Sequence, residues 1–347
     1  MESTNWTSVS HFILLGISTH PEEQIPLFVL FLSMYIINVS GNLVIIMLTI
    51  STTHLHTPMY FFLGNLSLAD IGFTSTIVPN MLLNIFSDTK TISYIGCLTQ
   101  VYFFISFAAM ENFLLEVMAY DRYVAICHPF HYPVVLTRRV CVQMVASCFT
   151  LSHLHALLHT LLMTRLSFCA NNQIHHFFCD LYPLMKISCS STYINTLVIQ
   201  TEGVIIINGA LTFIIISYSC IISAILHIPS AIGKWRAFST CGSHLTVVAI
   251  FYGTLTWVYF QPLASYSVAK GCIVTVMYTV VTPILNPFIY SLRNGGVKAA
   301  FRIWLNRIWR AAGTATGEGK PWAGRGSSEE RDHACAGGAP RQRRLYK

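Results

Sequence analysis

Charge is what this sequence is short of. Only 10% of its 347 residues are Asp, Glu, Lys or Arg, against 54% apolar residues. Soluble domains carry about 25% charged residues, and a water-facing surface cannot be assembled from so few. The shortage excludes an ordinary globular enzyme and points to a polytopic membrane protein. Residues 1–292 hold 9 Lys+Arg and 10 Asp+Glu, whereas residues 293–347 hold 12 and 4. The net charge of +7 is therefore a property of the tail, suited to orientation at a membrane and not to a nucleic-acid partner. The first residues lack a basic region followed by a short apolar core, so no cleavable signal is expected and the first span acts as its own insertion signal. No nucleophile–base set or metal framework gathers on one side of the membrane, so neither enzymatic activity nor a metal site is expected.

What is present is a succession of apolar runs. A spanning helix needs about 20 mostly apolar residues, and seven stretches qualify: Pro26–Thr49, Pro58–Leu83, Leu98–Tyr120, Val140–Met163, Leu197–Leu226, Phe238–Gln261 and Cys272–Leu292. Their only charges are Asp70, Glu111, Glu116 and Glu202. The fold class is thus an all-α membrane protein, a bundle of seven transmembrane helices. Arg122, Arg138, Arg139, Lys234, Arg236 and the basic start of the tail fall on one side, and Lys90, Arg165, Lys186 and Lys270 on the other. The N-terminus has no Lys or Arg, so the bias places it outside and the C-terminus inside. The triplet Asn5-Trp6-Thr7 agrees, as a glycosylation acceptor open only to a lumenal segment. Asn38-Val39-Ser40 and Asn65-Leu66-Ser67 match too, but within spans. The expected organisation is an extracellular segment 1–25, the bundle 26–292, a short amphipathic helix on the inner membrane surface at 293–312 and a disordered basic tail at 313–347. In the third part, Val297–Trp309 alternates basic residues with apolar ones such as Phe301, Trp304 and Trp309.

The third run ends in Met118–Tyr132, which reads MAYDRYVAICHPFHY. An acid–base pair is costly in lipid, so Asp121-Arg122 belongs where a helix leaves the membrane. The order of apolar helix, Asp121-Arg122-Tyr123 and a loop with Pro129 and Pro133 resembles the third helix of rhodopsin-like G-protein-coupled receptors. Val124-Ala125-Ile126-Cys127-His128-Pro129 is similar to the odorant-receptor branch. Further stretches, in order, resemble the same branch: Leu55-His56-Thr57-Pro58-Met59-Tyr60, Ser239-Thr240-Cys241-Gly242-Ser243-His244-Leu245, and Pro283-Ile284-Leu285-Asn286-Pro287-Phe288-Ile289-Tyr290. The match covers roughly residues 5–305.

That resemblance implies a receptor that binds a small, mostly apolar volatile ligand and activates a heterotrimeric G protein of the stimulatory, cyclic AMP-raising class. It would sit among plasma-membrane lipid, by resemblance in the cilia of olfactory neurons. The pocket would lie in the outer half of helices three, five, six and seven, with Phe104, Ile105, Ala108, Ala109, Glu202, Ile206, Tyr252, Leu255, Tyr259, Val276 and Thr279 as candidates. Tyr252 and Tyr259, seven apart, share a helical face. Glu202 reads as an unpaired acid that binds an amine or reaches loop water. Asp121, Arg122, Tyr123, Tyr218 and Tyr290 would form the coupling switch. Asn42, Asp70, Glu111 and Asn286 would form a buried polar network. There Asp70 and Glu111 hold a sodium ion, share a proton, or make a knot without an ion; the residues leave all three open, and no other cofactor is implied. Cys97, Cys169, Cys179 and Cys189 fall in outside segments, where four cysteines allow three pairings; the resemblance implies Cys97–Cys179 and Cys169–Cys189. His175, His176, Cys179 and Asp180 could bind a metal, but a disulfide would consume Cys179.

Some positions depart from the family pattern. Cys148-Phe149 stand where a tryptophan is usual, Glu116 where a small neutral residue is usual, and Asn294-Gly295-Gly296 where charges are usual. Phe130 replaces a leucine, and the tail is long. An unpaired Glu116 would cost about 2–4 kcal/mol in a span. The competing readings are a non-functional relic and a seven-helix transporter or channel. The transporter would want charged pairs along a pore or inverted repeats with broken helices, and the sequence has none. A retinal Schiff base needs a lysine in the seventh span, which Cys272–Leu292 lacks.

Overall fold

The computed structural model describes residues 9–17, 20–87, 89–169, 172–259, 275–293 and 295–316; for 236, 239–240, 257–259, 290–293, 295 and 307–316 it describes the backbone alone. Long helices dominate: α1 (Pro21–Ser51), α2 (Pro58–Ile85), α3 (Tyr94–Cys127), α5 (Arg138–Thr164), α7 (Tyr193–Leu226) and α8 (Ala231–Tyr259). Short helices α4 (Tyr132–Val135) and α6 (Leu181–Lys186) sit in connections. A wide π turn, Met277–Val281, leads into α9 (Thr282–Arg293), and α10 runs Gly295–Thr316. Among the described residues, α1, α2, α3, α5 and α7 are long and apolar enough to cross a membrane, and Cys241–Thr256 and Met277–Ile289 are shorter apolar helices. The described residues up to Arg302 form one compact unit; of the second, 303–347, the described part is helical.

The helices run past the apolar stretches read from the sequence. Helix α3 begins at Tyr94 and ends at Cys127, where Leu98–Tyr120 was expected, and α8 begins seven residues before Phe238. Backbone hydrogen bonding continues into the polar interface once a helix is established, so a hydropathy boundary marks the hydrocarbon and not the helix. Asp121-Arg122 therefore lies inside α3, with more than a turn of helix after it. Local signals set the starts. Pro21 and Pro58 take first-turn positions, where a missing N–H costs nothing. Ser93 and Thr137 cap α3 and α5 by accepting from Gly96 N and Val140 N.

The burial pattern is inverted relative to a soluble protein. Asn38, Asn42, Asp70, Glu111, Asp121 and Asn286 are buried, while Ile205, Ile215, Ile216 and Leu226 on α7 are exposed. Extensive exposed apolar surface of this kind is what lipid covers.

The all-α expectation misses a small cap. Strands β1 (His11–Leu14), β2 (Thr91–Ser93) and β3 (Gln173–Ile174) form a sheet in the order β2-β1-β3. Strand β1 is antiparallel to β2, with Phe12 opposite Ile92, and parallel to β3, with Ile13 opposite Gln173. Disulfides join Cys97 to Cys179 and Cys169 to Cys189, with Cα–Cα distances of 5.5 and 6.0 Å. Gln100 on α3 reinforces the first: its Oε1 accepts from Cys179 N at 2.9 Å, and its Nε2 donates to Thr76 O at 3.0 Å. Below the cap, aromatic rings fill the core. Phe73 stacks on Phe104 at 5.3 Å, and Phe104 meets Phe178 at 5.0 Å.

Candidate functional site: a pocket, a polar knot and a switch

A cavity of about 540 Å³ opens beneath the cap. Helix α3 supplies Phe104, Ile105, Ala108, Ala109 and Asn112, whose spacing keeps them on one helical face. His155 and His159 of α5 form another wall, Ile199, Gln200, Gly203, Val204, Ile206 and Ile207 of α7 a third, and Leu255 of α8 completes the lining. Leu181 and Tyr182 of α6 form the roof, held by the cap disulfides. Mostly apolar walls with a few polar groups in such a volume are characteristic of small-molecule sites.

Six of the residues expected to bind ligand line this cavity: Phe104, Ile105, Ala108, Ala109, Ile206 and Leu255. Tyr252, Val276 and Thr279 are not among its lining residues. The Tyr252 hydroxyl instead donates to Asn112 Oδ1 at 2.9 Å, and Thr279 bonds the Thr275 carbonyl one turn away. The side chain of Tyr259 lies outside the described residues, as does Asn5. Glu202 is not an unpaired acid: Oε1 is 2.9 Å from His155 Nδ1 and Oε2 is 3.3 Å from His159 Nε2. Nor is Glu116, which accepts from Asn112 Nδ2 at 2.9 Å. Asn112 thus links Tyr252 to Glu116. Sequence reasoning passed over Asn112, His155 and His159; the last two carry a legible signal, imidazoles four apart on one helix.

Midway along the bundle lies the polar knot. Asn286 Nδ2 donates to both carboxylate oxygens of Asp70 at 3.0 Å. Asn42 Nδ2 reaches the Pro283 carbonyl at 3.3 Å and Asn38 Oδ1, and Asn38 Nδ2 donates to Thr74 Oγ1. Glu111 of α3 is buried in the same part of the bundle as Asp70.

At the end remote from the cap, Arg122 Nε donates to Asp121 Oδ2 at 2.8 Å, and the Tyr132 hydroxyl donates to Asp121 Oδ1 at 2.8 Å. Tyr123 pairs with His128 at 3.1 Å. Tyr218 bonds His244 Nδ1 at 2.8 Å, and His244 Nε2 lies 3.1 Å from the Leu115 carbonyl. A carbonyl only accepts, so Nε2 carries the proton and, in the neutral ring, Nδ1 accepts from Tyr218. One imidazole on α8 thereby ties α7 to α3. The side chain of Tyr290 lies outside the described residues.

In the cap, burial against Phe177 and Phe178 pushes the His176 imidazole down to about 4, and burial pushes the Asp180 carboxyl up to about 6.

Comparison with known proteins agrees with these features. The family model described as olfactory receptor matches residues 31–307. Olfactory receptor 1Q1 of Homo sapiens is 70% identical over 308 residues, spanning 89% of this chain and 98% of that protein. Olfactory receptor 1G1 of Gorilla gorilla gorilla is 56% identical over 310 residues, 89% of this chain and 99% of that one. Olfactory receptor 1f45 of Rattus norvegicus is 53% identical over 302 residues, 87% and 96%. With buried polar groups, lipid-facing apolar helices and this likeness together, the chain belongs to the olfactory receptor family: it is a multi-pass membrane receptor of the seven-helix class and not an enzyme.

Proposed function

We propose that the chain is an odorant-activated receptor that couples to a stimulatory heterotrimeric G protein and raises cyclic AMP. The observation that carries this reading is the apolar cavity of about 540 Å³ beneath a disulfide-tied cap. A small volatile ligand sits against Phe104, Ile105, Ala109 and Leu255 and contacts α3, α5, α7 and α8 at once. A ligand shifts a conformational equilibrium only through differential affinity for the two states, and a cavity shared by four helices is a place where helix movement changes ligand contacts. The cap faces outside and Asp121-Arg122 faces the cytoplasm, in keeping with the Lys and Arg distribution.

In the resting arrangement Arg122 is held by Asp121, itself held by Tyr132, and His244 ties α8 to α3 and α7. Activation releases Arg122 toward Tyr218 and Tyr290 and opens a cleft for the G protein. Asp70, Glu111 and Asn286 are the residues that would hold a sodium ion in the knot. Glu111 Oε1 has no hydrogen-bond partner, which suits a cation or one shared proton. The segment Val297–Trp309 lies on the inner membrane surface, and the receptor resides in the ciliary plasma membrane.

The test is a cyclic AMP reporter in cells co-expressing olfactory trafficking factors, screened against a volatile panel with surface labelling of the N-terminus. The expected result is a ligand response that Arg122→Ala abolishes at matched surface level. A ligand response that survives Arg122→Ala would overturn the switch.

A further inference from the structure

We propose that His155, His159 and Glu202 form a binding site for a divalent transition-metal cation of the zinc class in the pocket wall. His155 and His159 are four residues apart on α5 and share one face, their rings 4.6 Å apart. Glu202 approaches from α7. Its Oε1 is 2.9 Å from His155 Nδ1 and its Oε2 is 3.3 Å from His159 Nε2, and one ligand atom from each of the three residues lies within 4.8 Å of the other two. Ligand atoms about 2.0–2.1 Å from a tetrahedral zinc stand roughly 3.3 Å apart. Both carboxylate–imidazole separations are already close to that value, and the imidazole nitrogens need to close by about 1.5 Å at most.

The chemistry fits as well as the spacing. Two imidazoles and one carboxylate are a mixed nitrogen and oxygen set suited to zinc or copper(II) and poor for calcium or magnesium. Three protein ligands leave a fourth position open, as in sites that exchange a ligand. Both imidazoles line the cavity, so that position faces the pocket, where water or a donor atom of a ligand (an amine or a thiol) completes the shell. Beyond the 3.3 Å ion pair with His159 Nε2, Glu202 Oε2 is buried with no hydrogen bond, and His159 Nδ1 is buried with none. A carboxylate in a span calls for a positive partner, and a cation between the three groups satisfies the Oε2 lone pair that hydrogen bonding leaves over. The metal site stands apart from the odorant reading; only the assignment of its open position to an odorant donor rests on that reading.

The experiment is cobalt(II) and zinc titration of the purified full-length receptor in lipid nanodiscs, without any odorant. The visible absorption of tetrahedral cobalt reports the geometry, and metal analysis after dialysis reports the stoichiometry. The expected result is one cobalt bound with a tetrahedral spectrum that zinc displaces. His155→Ala and Glu202→Gln should each weaken binding beyond the roughly 10–100-fold that even an outer-shell change costs. His227→Ala, which removes an exposed imidazole bonded to the Ser223 carbonyl, should leave it unchanged. Thermal melting of each apo variant separates loss of the site from loss of the fold; His155→Gln and His159→Gln replace any variant that melts early. A cobalt spectrum unchanged in His155→Ala, or no tetrahedral species in the folded wild type, overturns the site. An amine that binds the chelated receptor and His155→Ala but not Glu202→Gln would put a simple ionic anchor in its place.

Discussion

Tyr218 donates its hydroxyl to His244 Nδ1 at 2.8 Å, a direction fixed by the Leu115 carbonyl, which accepts from the proton on Nε2. Three helices meet through one ring. Tyr218→Phe leaves Nδ1 with an unmet acceptor in a buried site, a loss of about 1–3 kcal/mol that thermal melting of the purified receptor will show. If the tie belongs to the resting state, His244→Ala raises basal cyclic AMP at matched surface level. An unchanged basal signal would mean that the tie is equally present in both states.

The pocket can be filled without touching a polar group. A Cβ built on Gly203 meets nothing within 4 Å, and Gly203 lines the cavity. Gly203→Ala should stabilise α7 by about 0.5–1 kcal/mol. Gly203→Leu should occupy ligand space and weaken the response to an active odorant about tenfold or more, a difference of roughly 1.4 kcal/mol. Concentration–response curves at equal surface expression decide it; an unshifted curve would remove the ligand from this cavity.

Asn112 serves two partners, the buried Tyr252 and the half-buried Glu116, so its loss should cost more than that of either one. Asn112→Ala strands the Tyr252 hydroxyl and the Glu116 carboxyl, and surface expression should fall. The double variant Asn112→Ala, Glu116→Ala should recover part of that loss, because the stranded acid is gone. Surface labelling of Asn112→Ala, Glu116→Ala and the double variant measures the coupling, and strict additivity would show that the carboxyl is solvated by other means.

The cap should respond to acid in two opposing ways. His176 titrates near 4 when folded and near its ordinary 6.5 when unfolded, so the unfolded state binds more protons in that window and stability falls as pH drops through it. Asp180 runs the other way. Its folded value of about 6 lies above its ordinary 3.8, so acidification relieves the burial of its charge and stability rises between those values. Each effect is worth about 3 kcal/mol at full extent, and in the wild type they nearly cancel. Asp180→Asn should therefore melt earlier at pH 5 than at pH 7 (about two units of acidification), and His176→Phe later. Parallel pH dependence in the two variants would show that these groups do not control the cap.

The five long spans among the described residues were legible because lipid demands twenty or so apolar residues in a row and tolerates little else. Their ends were not, since Asp121, Arg122 and Lys234 are helical yet polar. The sheet was invisible for a different reason: strands of four, three and two residues are too short to show an alternating period, and their pairing depends on loops far apart in the chain. Within the site, the α3 face could be read from spacing, but the partners of Glu202 and Tyr252 could not. His155 lies 47 residues before Glu202, and Asn112 lies 140 before Tyr252. Tyr252 reads as a ligand contact from the face it shares with Tyr259 and from the family resemblance; its hydroxyl donates to the buried Asn112.

The sheet order has a consequence for synthesis. Strand β1 is the middle strand, yet it is the first to be made, and Asn172, which bonds the His11 carbonyl beside β3, follows 161 residues later. At ribosomal rates of about 5–20 residues per second that interval is on the order of 8–30 s. Two spans are inserted before β2 can pair with one edge of His11–Leu14 and four before β3 can pair with the other, and an unpaired edge is open to wrong partners. The oldest strand of the cap is thus the last to be completed, and the window in which a chaperone can rescue or discard this receptor is written into the order of its strands.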